Sequence, residues 1–341
     1  MATAAFYFEE PTLTTPQLFH RRDVALAIAW MATGVATQAQ SGPWPQRPVK
    51  WIVSQPAGAG PDILARFIAD KLSVALGQAI VVENRPGGQN VIGAQAASRA
   101  TADGYTFFYA TTAAMVTNSF TFKALPYDPD KDFVPVGLVG RSPFMLAASK
   151  SSGFKTLADV LAQAKAQPNK IAIATEGPKT FSGMLADSVA AMGAVQLTHV
   201  PYTKAPDAIQ DVLGGRVALV CLPDAALAAY IASGQLQALA VSTGSRLPNL
   251  PTVPTLSETF SGFEYTGWNG LFAPVGTPAE VVVRMNRELA TLLRLPEIAQ
   301  RLQSLGSIAD GSLSPTAFAQ FMKAERERWA QIVKAIGVVA E

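Results

Sequence analysis

The sequence predicts an α/β protein in two domains, its mainly parallel sheets covered by helices. Three observations carry this. Short apolar runs of strand length alternate with helix-like segments through most of the chain. At 341 residues, the chain is long enough for two domains. In two places, near Gly58 and near Gly177, a small-residue loop joins a strand-like run to a helix start.

In chain order, Arg21 and Arg22 come first, ahead of the uncharged segment Val24 to Ala39. Its apolar part, Val24 to Ala36, is too short for a bilayer span of about 20 residues. Small Thr37 and Ala39 stand where a signal peptidase cuts. Charged, apolar, then small is the secretory order, so residues 1–39 read as a signal peptide and the rest as exported. The alternative is a buried N-terminal helix. The stretch before Arg21 is long for a leader, as if the start site were set too far upstream. Asp23 and Val24 make Arg21-Arg22 a weak twin-arginine signal.

Strand-like runs follow at Val49–Val53, Ile80–Glu83, Tyr105–Tyr109 and Phe144–Ala148, then at Ile171–Ala174, Gln196–Val200, Val217–Cys221 and Gln237–Val241. A helix from Ile63 to Leu76 is stopped by Gly77, and Thr156 with Asp159 forms a capping box. Thr277-Pro278 reads as an N-cap and N1 pair for a helix to about Leu295. Ser314-Pro315 starts another, on which Phe318, Phe321, Met322, Trp329, Ile332, Val333 and Ile336 make one apolar face for packing.

Charged residues are 15%, apolar residues 49% and the net charge +2, which excludes a disordered chain and a basic nucleic-acid binder. Cys221 is the only cysteine, so no internal disulfide forms, and at a strand end it reads as a small buried hydrophobe. The histidines are His20, in the leader, and His199, which reads as structural. There is no metal motif, no Gly-x-Ser-x-Gly elbow and no Walker lysine, and the dinucleotide fingerprint fails at Ile63. No cofactor and no metal are expected.

What remains is anion chemistry. Ser54 to Asp62 and Thr175 to Ser182 each follow a strand and open a helix. The first amides of a helix lack partners within it, the helix dipole favours negative charge there, and glycines admit a ligand to the backbone. Two such loops face to face would clamp a carboxylate.

From about Trp44 to Ala340 the chain also resembles the Bug family, the extracytoplasmic solute-binding receptors of tripartite tricarboxylate transporters. The marks are Asp62-x-x-Ala65-Arg66, Val82-Glu83-Asn84-Arg85-Pro86-Gly87, Asp103-Gly104-Tyr105-Thr106 and Leu125-Pro126-Tyr127-Asp128-Pro129. They continue with His199-Val200-Pro201-Tyr202, Leu213-Gly214-Gly215, Leu239-Ala240-Val241, Leu250-Pro251-x-Val253-Pro254-Thr255 and Ala273-Pro274-x-Gly276-Thr277-Pro278. The resemblance implies a two-lobed, type II periplasmic-binding-protein fold, with one lobe from 40–140 plus 246–341 and the other from 141–245. It implies capture of a small carboxylate (a dicarboxylate, an aromatic carboxylate, or an amino or hydroxy acid) in the cleft between the lobes, and delivery to membrane permease subunits. Docking on a sensor kinase is the alternative. An enzyme reusing the cleft through Glu176, Asp224 and His199 is a third reading.

The two loops implied to grip the ligand are Pro56–Asp62 and Thr175–Ser182. The candidate ligand residues are Gln55, Pro56, Ala57, Gly58, Ala59 and Asp62, then Thr111 and Thr112. Thr175, Glu176, Gly177, Thr180, Phe181 and Ser182 follow, with Lys204, Asp224 and Trp268. Asp62 reads as a helix cap or loop organiser rather than an acid catalyst. Departures from the family pattern fall in these loops. The family's Pro-aromatic-x-Pro-Gly-Gly is Ser54, Gln55, Pro56, Ala57, Gly58 and Ala59 here, and the second loop carries Glu176, Pro178, Lys179 and Phe181. Glu176 would repel a ligand carboxylate unless paired or protonated. It either binds an ammonium or hydroxyl of the ligand or points to solvent with Lys179. Phe181 stacks on a ligand ring or packs under the loop, and Trp268 is a cleft wall or interlobe core.

Overall fold

The computed structural model describes residues 43–340; the expected signal peptide, 1–39, lies outside them. In β1 (Val49–Val53), Val49, Trp51 and Val53 are buried on one face and Ile52 on the other. This is the two-residue period of a strand covered on both sides. α1 (Gly60–Leu76) is closed by Gly77 and leads to β2 (Ile80–Asn84) and α2 (Val91–Ser98). β3 (Thr106–Thr111) repeats the two-sided pattern, Phe107 and Tyr109 against Phe108 and Ala110. A π-helical turn (Ala113–Thr117) and the short α3 (Asn118–Thr121) precede β4 (Phe133–Ser142).

After Pro143 the chain enters a second sheet. It passes through β5 (Phe144–Ser149), α4 (Leu157–Ala166), β6 (Ala172–Thr175), α5 (Phe181–Met192), β7 (Thr198–Pro201) and α6 (Ala205–Leu213). It continues through β8 (Leu219–Pro223), α7 (Asp224–Ala232) and β9 (Leu236–Val241). The return runs through α8 (Leu256–Thr259), β10 (Gly267–Pro274), α9 (Ala279–Leu293), α10 (Pro296–Ser304), β11 (Ile308–Ala309) and α11 (Pro315–Ile336). The first sheet is ordered β11-β4-β10-β3-β1-β2 and the second β7-β6-β8-β5-β9.

Two helix-covered sheets are as expected; their pairing is not. Mostly parallel sheets were expected, and both are mixed. β2, β1 and β3 pair in parallel, as do β7, β6 and β8. β10 runs antiparallel to β3 and β4, β11 to β4, and β5 to β8 and β9. In the first sheet the cause lies in strands without a sequence signal. β4 contains Pro135, Gly137 and Gly140, and β10 contains Gly267, Gly270 and Pro274, residues that weaken a strand pattern. β4 carries the chain out of the first sheet and β10 brings it back, so they run in opposite directions side by side. Another expectation shifts slightly: Pro278, not Thr277, occupies the cap of α9, and the Thr277 hydroxyl donates to Pro274 O at 2.8 Å. The capping box at Thr156 and Asp159 and the Ser314 cap of α11 both form.

One apolar cluster reaches from Ile52 and Phe108 of the first sheet to Leu146, Ile173 and Leu219 of the second. α11 seals it along one face, where Phe318, Met322, Glu325 and Trp329 are buried at helical spacing. Phe318 seats on β10 because Gly270 has no side chain; a Cβ there would stand 2.6 Å from the Phe318 ring. Three turns later, Trp329 lies 4.6 Å from the Tyr265 ring and 5.4 Å from Phe181 at the head of α5. Charges finish the crossing. Arg141, near the end of β4, bonds Asp310 at 3.1 Å, and Glu264, just before β10, lies 3.9 Å from Arg141 and 3.7 Å from Arg328.

Trp329→Ala removes a buried aromatic shared by α11, α5 and the return crossing. It should cost about 3–5 kcal/mol of unfolding free energy in a urea titration, the range for an aromatic-to-alanine core truncation.

Candidate functional site

The first loop is built by the end of β1 and the start of α1. Asp62 organises it: its carboxylate accepts from Gly58 N at 2.8 Å and Asn84 Nδ2 at 2.7 Å, and Arg66 Nε lies 3.1 Å away. Burial raises the Asp62 pKa; Arg66, the Gly58 amide and Asn84 outweigh it and hold the carboxyl below the ordinary range. Gly58 takes φ +81, which lets the chain turn back onto Asp62. The root is held from the other side, where Ser54 Oγ and Gln55 Nε2 both donate to Asn90 Oδ1. Asn84 Nδ2 also donates to Gln55 O at 3.0 Å. Pro56, Ala57, Gly58 and Gly60 are left exposed beside the first turn of α1. Sequence reasoning missed Asn84 and Asn90 as organisers; for Asn84 the signal lay inside the Val82–Gly87 mark.

The second loop joins β6 to α5. Thr180 caps α5, accepting from Gly183 N at 3.2 Å and donating to Gly177 O at 2.6 Å. The Glu176 amide donates to Ser182 Oγ at 2.9 Å, and the Gly177 amide to Thr175 Oγ1 at 3.3 Å. Gly183 makes this turn possible: a Cβ there would lie 2.0 Å from Gly177 O. The hydroxyls of Thr175, Thr180 and Ser182 are thus engaged in holding the loop, and Thr175 and Ser182 are fully buried. His199 sits behind the loop, its Nε2 2.7 Å from Asp187 on α5 and its Nδ1 3.5 Å from Thr175 Oγ1. With Thr175 inaccessible, the trio fastens β7 to α5 and offers no open nucleophile.

Other candidates have packing roles. Thr112 Oγ1 accepts from Trp268 N at 2.8 Å and donates to Trp268 O at 3.3 Å, stitching the end of β3 to β10. Trp268 is core: it is 2% exposed, surrounded by Phe272, Phe318 and Phe321, and its Nε1 donates to buried Glu325. Phe181 packs on Phe144 (4.6 Å), Tyr265 and Trp329, which pin the head of α5 to the crossings. Thr111 opposes Asn269 in the β3–β10 register, and its hydroxyl is buried. Lys204 is exposed and heads α6.

Two carboxyls differ from all of these. Glu176 is open to solvent, yet the protein around it desolvates it enough to raise its pKa, with Ser182 as a small counterweight. Asp224, the first residue of α7, is 7% exposed. Burial pushes it up to about 6, offset only in part by the Ala225 amide it accepts from. Among the described residues, neither makes an ion pair, and no group of three His, Cys, Asp or Glu could hold a metal. Two surface grooves, one beside Tyr127 and Arg326 and one beside Lys150 and Lys155, include no residue of either loop.

Asp224 gives a pH prediction. Its folded-state pKa is the higher one, so the folded protein holds this proton more tightly than the unfolded chain. Its contribution to stability is therefore full below the ordinary aspartate value, falls as pH rises from there to about 6, and stays lost above. Asp224→Asn lacks that fall. Urea titrations should find it more stable than wild type by about 2 kcal/mol at pH 7.5 and unchanged relative to it near pH 4.

Comparison with known proteins agrees with this architecture. Residues 64–338 match the family model described as tripartite tricarboxylate transporter family receptor. The chain is 35% identical over 316 residues to the UPF0065 protein in the tcbD-tcbE intergenic region of Pseudomonas sp. (strain P51), covering 92% of this chain and 94% of the relative. Among solved structures it is similar to R. palustris Rpa4515 with adipate, with TM-score 0.79 and 31% identity over 87% of this chain and all of that one. It is also similar to MatC (Rpa3494) from Rhodopseudomonas palustris with bound malate, with TM-score 0.74 and 29% identity over 85% of this chain and all of that one. With a family match that runs from within α1 to the end of α11, the chain belongs to the Bug-type receptors of the tripartite tricarboxylate transporter family.

Proposed function

We propose that this chain is a periplasmic receptor that captures a small carboxylate between two lobes, 40–140 plus 246–341 and 141–245. It then hands the ligand to the membrane permease of a tripartite tricarboxylate transporter. The observation that carries the reading is the matched pair of loops. Each leaves the carboxyl end of a parallel strand, β1 or β6, and each opens a helix, α1 or α5. Each is also held rigid by its own hydrogen bonds. Ligands of open α/β folds sit at such strand ends, and helix-start amides favour an anion.

The relatives solved with adipate and malate support a carboxylate as the ligand. Among the described residues no helix is long and apolar enough to cross a membrane, which fits a receptor that works beside its permease. The proposed role is binding, closure of the lobes and release, without catalysis.

A thermal-shift screen of the protein with its first 39 residues removed tests this reading. A carboxylate at 100 times its dissociation constant should add about 2.7 kcal/mol of stability. Gly58→Asp and Thr180→Asp should each abolish that gain. Thr180→Asp keeps a helix cap, since aspartate caps a helix as threonine does; Gly58→Asp has open space for its Cβ but strains the left-handed turn, so its fold is checked by circular dichroism. Unchanged affinity in both would refute the two-loop clamp, and stabilisation only by neutral or cationic compounds would refute the carboxylate.

A further inference from the structure

We propose that Gly306 is a positioning residue for ligand capture: the backbone contact it permits with the head of α7 sets the angle at which the two lobes meet. The inference rests on the two-lobed receptor reading and deepens it.

The contact joins the two proposed lobes, and no residue of either loop takes part in it. Gly306 lies in the turn between α10 and β11, on the side of the first sheet. Ala225 is the second residue of α7, on the side of the second. A Cβ on Gly306 would lie 2.0 Å from Ala225 Cβ, 3.1 Å from its Cα and 3.3 Å from its N. Carbon atoms pack at about 3.5–4.0 Å, so one added methyl is about 1.5 Å short of room.

Neither side can give. In the turn, Gly306 N donates to Gln303 O at 3.0 Å and Ser307 N to Leu302 O at 2.9 Å. Ser307 is 1% exposed, and its Oγ fills the place of the side chain that Gly140 lacks: a Cβ on Gly140 would lie 2.5 Å from it. β11 then pairs with β4, Ile308 opposite Arg141, and Arg141 bonds Asp310 at 3.1 Å. On the other side, α7 starts at Asp224 directly where β8 ends at Pro223. The Asp224 amide donates to Pro143 O at 3.0 Å, its carboxylate accepts from Ala225 N at 2.8 Å, and Leu227 is fully buried two residues on. The atoms that would collide are backbone and Cβ atoms, which have no other rotamer to adopt.

Each side is continuous with one ligand loop. β11 and β4 belong to the sheet in which β1 ends in the first loop, and β8 neighbours β6, which ends in the second. A close-packed interior passes a displacement on instead of absorbing it. Through Asp224 the contact adjoins Pro143, the link between β4 and β5, so it sits at the root of the joint. A wedge at the root of a hinge moves the far ends of both lobes by more than its own width. The two loops would then part, and one ligand could no longer touch both.

Gly306 also has φ +76, a strain for any side chain, and the test separates the contact from that strain. Cysteines replacing exposed Lys71 on α1 and exposed Lys165 on α4 carry spin labels, while native Cys221 is buried and stays unlabelled. Double electron–electron resonance then reads the distance between the lobes without any ligand. Gly306→Ala should shift that distance. Adding Ala225→Gly should bring it back toward the wild-type value, which it could not do if backbone strain were the cause. In titration calorimetry with adipate and with malate, a closed arrangement only about one-tenth populated makes Gly306→Ala bind about tenfold more weakly. The double variant should regain that affinity. Ala225→Val enlarges the same contact from a helical position and should shift the distance in the same direction; it decides the question if Gly306→Ala does not fold. An unchanged distance in the single variants, or a shift in Gly306→Ala that Ala225→Gly leaves in place, overturns the inference. Failure of wild type to bind adipate or malate, with the distances as expected, counts against the carboxylate reading and leaves the role of Gly306 standing.

Discussion

The antiparallel pairing of β4 with β10 is the constraint on which the rest of the molecule depends. These strands are the outward and return crossings between the sheets. Because they lie side by side, the second sheet is held to the first at one place by two chains. α11 then closes the joint: Phe318 fits the space above Gly270, Trp329 reaches Tyr265 and Phe181, and Glu325 accepts a hydrogen bond from the Trp268 indole N–H. The charges of Arg141, Glu264, Asp310 and Arg328 meet at the same spot. A joint with two connections and a shared helix positions the carboxyl ends of β1 and β6 without fusing them.

The two loops are made by opposite uses of the same chemistry. At Asp62 a buried carboxylate is surrounded by a guanidinium, an amide and a carboxamide, and its charge is spent on shaping the loop. At Glu176 and Asp224 the carboxylates have a hydroxyl and one backbone amide between them, and their charge is left over. Thr175, Thr180 and Ser182 likewise spend their hydroxyls inside the second loop. Most of the loops' hydroxyls and several of their amides are thus spent on holding the loops' own shape.

Much of this was legible in the sequence, and the misses have physical causes. The strands with clean apolar runs, such as Val49–Val53, were found because both their faces are buried. β4 and β10 were not, because the glycines and prolines that let α11 and the segment before β11 approach also erase the strand pattern. That omission hid the antiparallel pairs of the first sheet; in the second, the strands were found and only their direction was not. Both candidate loops were visible as strand, small residues, helix start. The sequence left Trp268 open between cleft wall and core; of the glycines beside it, Gly270 admits Phe318 and Gly267 admits the first crossing at Ser142 and Phe144, and the indole is core. The roles of Asn84 and Asn90 depend on turns brought together by the fold, and no local pattern encodes them.

The clamp itself is tested most directly by the backbone amide resonances of Gly58, Gly60, Gly177 and Gly183, followed by nuclear magnetic resonance while a bound carboxylate is titrated in. If both loops hold the ligand, glycines from the two sheets shift together along one saturation curve with a single dissociation constant. Shifts confined to one loop, or saturation of the ligand with all four amides unmoved, would contradict the account.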